Sequence, residues 1–196
     1  MTDDGGDDDR AAVARTSAGI DAWIQHRRAA GEVPDPGLMR SVGDGAVVEL
    51  REVNGENARA VMLLQVAPGQ RGFVAPNAVS LGQAMFEPRA WFRAVYADDT
   101  PVGFALLDLD RDGAEYTLWR FMIDDRFQGL GYGRAAIGLV VEFVRDLPGA
   151  TNLATSWVPG PGSPEGFYLG LGFRPTGEMD ETEIVGRLDL TQAERS

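Results

Sequence analysis

The segment Gln128-Gly129-Leu130-Gly131-Tyr132-Gly133 sets three glycines between an apolar run and a run with helical spacing. Glycine lets backbone adopt positive φ and come close to a ligand. The helix behind the loop, expected over Arg134–Asp146, points free N–H groups and a partial positive charge at it. Such a joint suits a pyrophosphate, and Arg126 and Arg134 add formal positive charge. A P-loop would need Lys followed by Ser or Thr after its last glycine, which is not found here. The dinucleotide fingerprint wants Gly-x-Gly-x-x-Gly on the first strand of a parallel sheet, whereas this loop reads Gly-x-Gly-x-Gly. Alone, the segment fits either an anion site or a tight strand-to-helix turn.

The elements around the loop narrow the choice. Val47 to Val53 alternates like a strand, and Asn54 is placed to cap a helix running towards Leu64. Asn77 is placed to cap a second helix reaching Phe86. Trp91–Ala97, Val102–Asp108 and Glu115–Ile123 read as three strands joined by turns at Asp98-Asp99-Thr100-Pro101 and Arg111-Asp112-Gly113. Beyond the loop helix, which Pro148-Gly149 stops, come a strand over Asn152–Val158 and a short helix over Pro164–Leu171. Strands over Phe173–Glu178 and Glu183–Leu190 follow. Three antiparallel strands ahead of the glycine loop give a mixed α/β layer, not a regular alternation.

Composition bounds the rest. The chain has 196 residues, 44% of them apolar, enough for one core. Residues 1–45 read as an appendage: an Asp-rich tail, a helix over Ala11–Ala30 and a Pro/Gly linker. The acidic start is unlike a basic signal peptide, so a cytoplasmic protein is expected. There is no cysteine, and His26 is the single histidine, between Gln25 and Arg27 in the appendage. Thiolate chemistry and Cys or multi-His metal sites are excluded, and no metal is expected. A net charge of −12 disfavours nucleic acid, and no apolar run reaches the roughly 20 residues of a membrane span. It would suit a cationic small molecule.

At this point the residues resemble a family. Gln128 to Gly133 is similar to the Gln/Arg-x-x-Gly-x-Gly/Ala motif of the GNAT superfamily of acyl-CoA-dependent N-acyltransferases. Tyr168-x-x-x-Gly172-Phe173 resembles its helix-to-strand motif, at the right separation downstream. Val48-Glu49-Leu50-Arg51-Glu52-Val53, Gly72 to Asn77, Arg120-Phe121-Met122-Ile123 and Glu183-Ile184-Val185 read like the bacterial spermine/spermidine (diamine) N-acetyltransferases. The likeness covers residues 46 to 190.

The fold implied is a splayed, mostly antiparallel sheet of six to seven strands with helices on both faces, in a domain over residues 46–196. The cofactor implied is acetyl-CoA. Its pantetheine arm would pair with backbone near Phe121, Met122 and Ile123, and its pyrophosphate would sit on the loop and first helical turn. Arg126, Gln128, Gly129, Leu130, Gly131, Tyr132, Gly133 and Arg134 are the residues concerned, with Ser163 and Phe167 nearby. Many relatives carry an Asn after the fifth strand; Val158 to Ser163 has none, and Ser163 offers a hydroxyl instead. The reaction implied is attack of an amine on the thioester, with an N–H near Met122 or Ile123 for the oxyanion and Tyr168 as the acid. Glu115, Glu87 and Glu183 are candidate bases, with a water chain as the alternative. Glu87, Trp91, Tyr116, Trp119 and Glu183 are candidate acceptor contacts, together with Phe86. A polyamine or diamine is the expected acceptor, with an aminoglycoside or peptide amine as alternatives, and a homodimer is an expectation without a residue to carry it. A non-catalytic acyl-CoA-binding domain is the competing class, and Tyr168 speaks against it.

Overall fold

The computed structural model describes residues 45–191. The acidic start and the helix expected over Ala11–Ala30, with His26, lie outside these residues. Seven strands form one sheet: β1 (Val48–Arg51), β2 (Ala90–Ala97), β3 (Thr100–Asp110), β4 (Glu115–Ile123), β5 (Asn152–Trp157), β6 (Arg174–Asp180) and β7 (Glu183–Asp189). Their order is β1-β2-β3-β4-β5-β7-β6. Every neighbouring pair is antiparallel except β4 and β5. Four α-helices accompany them: α1 (Ala58–Met62), α2 (Asn77–Ala84), α3 (Tyr132–Arg145) and α4 (Glu165–Gly170).

Period-two alternation sends the two faces of the central strands to different helices. Ala105, Leu107, Leu118, Leu153 and Trp157 pack with Ile137, Val140 and Val144 of α3 and with Tyr168 of α4. Ala94, Tyr96, Phe104, Leu106 and Met122 pack on the other face with Val61 of α1 and with Leu81 and Ala84 of α2. The helix spacing read in the loop helix is thus that of its buried stripe. The turn before β3 places Asp98 at φ 52°, a conformation that Asp tolerates better than most residues.

Two distortions shape the centre of the sheet. Leu107 pairs with Leu118 and Leu106 with Arg120, so Trp119 is an extra residue bulged out of β4. The parallel ladder between β4 and β5 contains just two pairs, Thr117 with Ala154 and Leu118 with Thr155. Past them the strands diverge, and among the described residues β4 from Trp119 to Ile123 has no neighbouring strand on that side.

Several expected boundaries shift. Asn54 does not cap α1: its side chain accepts from Glu56 N at 2.9 Å within a turn, and the helix begins at Ala58. Asn77 does not cap α2 either. Pro76 holds that place, while buried Asn77 donates to Val61 O at 2.8 Å and ties the two helices together. Pro164 sits at the cap of α4, one place before the expected first turn. Side chains engaged in a local turn, like Asn54, or in a tertiary bond, like Asn77, look like caps in a sequence.

The β5–β7 pairing depends on the bare backbone of Gly186, since a Cβ there would overlap the Trp157 ring. Gly186→Ala should lower stability by about 1–3 kcal/mol through overpacking. Urea unfolding measures this, and an unchanged midpoint would contradict the packing described.

Candidate functional site

The divergence of β4 and β5 opens a cleft of 1310 Å³. Asp124 N donates to Val102 O, so on antiparallel alternation the backbone of Met122 also faces β3. The backbone of Phe121 and of Ile123 therefore faces the gap, and Ile123 O accepts from Gln128 Nε2 at 2.9 Å. This corrects the expectation for Met122, whose N–H is turned away from the cleft although its side chain lines it. Phe121 stacks parallel to Phe167 at 6.0 Å, and both reach the cleft.

The glycine loop leads out of β4 through one 3-10 turn. Gly129 and Gly131 hold φ of 79° and 86°, where a side chain would be strained, and a Cβ on either would enter open space. Gly131 occupies the cap position of α3 and has no side chain to cap it, so the start of the helix faces the loop. Gly133 lets α3 close on Phe167, which lies 3.3 Å from where its Cβ would be. The loop is pinned by Asp124, whose side chain is fully buried. Asp124 accepts from Arg126 Nε at 2.5 Å, from Arg126 Nη2 at 3.1 Å and from Gln65 N at 2.9 Å. Arg126 is thereby engaged as the counter-ion of a buried carboxylate and does not line the cleft, contrary to expectation. Leu130 is 54% exposed and Tyr132 is packed in the core, so neither side chain lines the cleft; only their backbone belongs to the loop. Gln128 also donates to Gln70 Oε1 at 2.8 Å, which brings residues 68–75 over the gap. Phe73, in that segment, and Gly69 approach Gly162 on the far side.

Tyr168 stands on α4 inside an aromatic box. Trp157 stacks on it at 5.6 Å, and Phe167 and Phe173 meet it edge-on at 5.5 Å each. Burial pushes its phenol up to about 12; a hydrogen bond with Thr155 works against this and the charge of Glu183 adds to it. Thr155 is held by donating to Leu118 O at 3.1 Å, at the last paired position before the gap. Ser163 lines the cleft and accepts from Glu165 N at 3.2 Å, at the start of α4.

The face towards α1 and α2 carries the cleft's charge. Trp119, Arg120, Ser156 and Glu183 line it there; Arg71 also lines the cleft, from the segment that Gln70 ties to Gln128. Ser156 Oγ donates to Glu183 Oε2. Arg120 donates to Trp119 O at 2.8 Å, and burial lowers its guanidinium from the ordinary arginine value, with Glu183 opposing the shift. Sequence reasoning missed Arg71, Arg120, Thr155 and Ser156 as cleft residues. Arg120 left one signal, a charge inside the apolar run Leu118 to Ile123.

Other expected residues lie away from the cleft. Glu115 is exposed at the far end of β4, opposite Asp110. Glu87 pairs with Arg89 at 3.7 Å, and Phe86 is 87% exposed on the surface. Trp91 stacks on Phe143 of α3 at 4.2 Å, on the other face of the sheet. Tyr116 is core, its hydroxyl donating to Pro148 O at 2.7 Å. Period-two alternation sends Trp91 and Tyr116 to the α3 side. Trp119 and Glu183 are the expected acceptor contacts that the cleft brings together.

A model of the "Acetyltransferase (GNAT) family" matches residues 53–173. The chain belongs to this family. It is an acetyl-CoA-dependent N-acetyltransferase. The spermine/spermidine N(1)-acetyltransferase of Bacillus subtilis (strain 168) is 26% identical over 141 residues, covering 68% of this chain and 91% of that protein. The PaiA N-acetyltransferase of Thermoplasma acidophilum, solved in complex with coenzyme A, is 14% identical with a TM-score of 0.56. The two superpose over 73% of this chain and 99% of that one. A spermidine N-acetyltransferase chimera of the Vibrio cholerae and human proteins gives 14% and 0.55, over 74% and 96%. These structures share the fold. Among the described residues no helix is long and apolar enough to cross a membrane.

The residues present fit acetyl-CoA. A positive-φ glycine loop opens on the cleft, α3 starts directly behind it with glycine at its cap, and among the described residues no strand pairs with the far end of β4 on that side.

Since its phenol lies above the usual value of 10, Tyr168 favours the fold in its neutral form. That contribution, roughly 3 kcal/mol, is complete below pH 10 and is lost as pH rises through 12. Alkaline titration of phenolate absorbance should show one tyrosine ionising near 12 that Tyr168→Phe removes. Loss of a component near 10 instead would contradict its burial.

Proposed function

We propose that this acetyltransferase acylates a primary amine of a small cationic acceptor, with a polyamine or diamine as the class suggested by the Bacillus relative. The observation carrying this reading is the shape of the cleft. A glycine loop and a free strand edge lie along one side, and a buried phenol and a single carboxylate meet at the gap.

Acetyl-CoA supplies an activated acyl carbon. The amine nitrogen forms a C–N bond to it as the C–S bond breaks. The N–H groups of Phe121 and Ile123 face the gap and are the donors for the oxygen that gains charge. Tyr168 donates its hydroxyl hydrogen to the departing sulfur. A phenol near 12 is a weaker acid than a thiol near 8.5, so it acts as a hydrogen-bond donor more than as a full acid. It also stays protonated across the working pH range. Among the described residues Glu183 is the one carboxylate that lines the cleft, and its place suits it to receive the ammonium and to lead its proton towards solvent. A free alkylammonium holds its proton up to about pH 10, so rates should climb with pH towards that value.

Thiol release from acetyl-CoA, followed across a panel of primary amines, tests the reading. Release above the hydrolysis blank with at least one amine is expected. Tyr168→Phe should reduce kcat roughly a hundredfold, with little change in KM for acetyl-CoA. Silence across the whole panel would contradict catalysis and favour a cofactor-binding module.

A further inference from the structure

Ser156 is the first residue of β5 beyond the two pairs that join it to β4, so it stands where the gap begins. Period-two alternation turns Thr155 and Trp157 to the α3 side and Ser156 to the face of α1 and α2. There its hydroxyl meets β7, and Ser156 Oγ donates to Glu183 Oε2. Both side chains are half-buried and line the cleft. Strands β5 and β7 are already joined by six backbone pairs, from Asn152 with Asp189 to Trp157 with Ile184. Their pairing therefore has little need of this side-chain bond.

Glu183 has a competing partner. Its charge acts on the guanidinium of Arg120, which burial leaves partly desolvated and which lines the same face of the cleft. Arg120 nevertheless gives its hydrogen bond to Trp119 O and forms no ion pair with any described residue. A glutamate side chain is long and free to turn, and a carboxylate beside a desolvated guanidinium closes a two-point pair when nothing restrains it. The hydroxyl of Ser156 is such a restraint. It takes Oε2 and leaves Oε1 to accept from the three donors of an ammonium.

We infer that Ser156 is a positioning residue for acetyl transfer: its hydroxyl holds Glu183 out of an ion pair with Arg120 and turned towards the acceptor amine. The inference rests on the role given to Glu183 above. It places no new demand on the acceptor, a polyamine included, and the bonds made and broken in the transfer are unchanged.

Thiol release with the best amine of the panel tests it in Ser156→Ala, Ser156→Thr, Glu183→Gln and the double variant of Ser156→Ala with Glu183→Gln. Ser156→Ala should lower kcat/KM for the amine about tenfold, the loss of one hydrogen bond to a charged group, with KM for acetyl-CoA unchanged. Ser156→Thr keeps the hydroxyl and should recover most of that loss. On the Glu183→Gln background, Ser156→Ala should cost less than about twofold, because it acts through the carboxylate. A serine that only braces the strands would cost the same factor in both backgrounds, and that result would overturn the inference. So would an unchanged kcat/KM in Ser156→Ala, a Ser156→Thr as slow as Ser156→Ala, or a raised KM for acetyl-CoA, which would assign Ser156 to the cofactor. Native kcat/KM in Glu183→Gln would remove the role of Glu183 and the inference with it, while acetyl transfer stands. No turnover of any amine by the native enzyme would instead remove the acetyl-transfer reading itself.

Discussion

Parallel pairing between β4 and β5 ends after two residue pairs, and the functional geometry depends on that ending. A sheet that stayed closed would spend the backbone of Phe121 and Ile123 on a neighbouring strand. The open edge leaves those groups free while the rest of both strands remains buried. Two features hold the gap open. Trp119 is bulged out of β4 immediately past the last pair, which bends the strand away. Trp157, at the end of β5, is drawn towards Gly186 and Tyr168 on the α3 side.

The loop beyond β4 needs support of a different kind. Three glycines in sequence carry a large entropic cost when fixed. Asp124 offsets it with a fully buried carboxylate whose oxygens are taken by Arg126 and by the Gln65 N–H. A buried ion pair is weak evidence for net stability, because desolvation opposes attraction. Its value here is positional: it fixes where the loop leaves the strand and ties the segment after α1 to the cofactor side. Gln128 continues the same tie through Gln70.

The glycine loop and the Tyr168 motif were legible in the sequence because local conformation requires them. Gly129 and Gly131 need positive φ, and Tyr168 sits a fixed distance ahead of Gly172 and Phe173. Strand β4 was read to the residue, since turns bound it at both ends. The acceptor side was poorly legible. Trp91, Tyr116, Glu115 and Glu87 are aromatic or acidic residues of the right kind, but strand parity and exposure place them elsewhere. Arg71, Ser156 and Arg120 line one cleft from three separate segments, and no local spacing announces this. Arg126 illustrates the same limit, since a basic residue beside an anion site can be engaged by a buried aspartate.

Hydrogen exchange measured with and without coenzyme A tests the central claim most directly. The account predicts slowed exchange at the amides of Phe121 and Ile123 and at those from Gly129 to Arg134, with β1 and β6 unaffected. Protection that spares the open edge of β4 and the glycine loop, with coenzyme A bound, would contradict it.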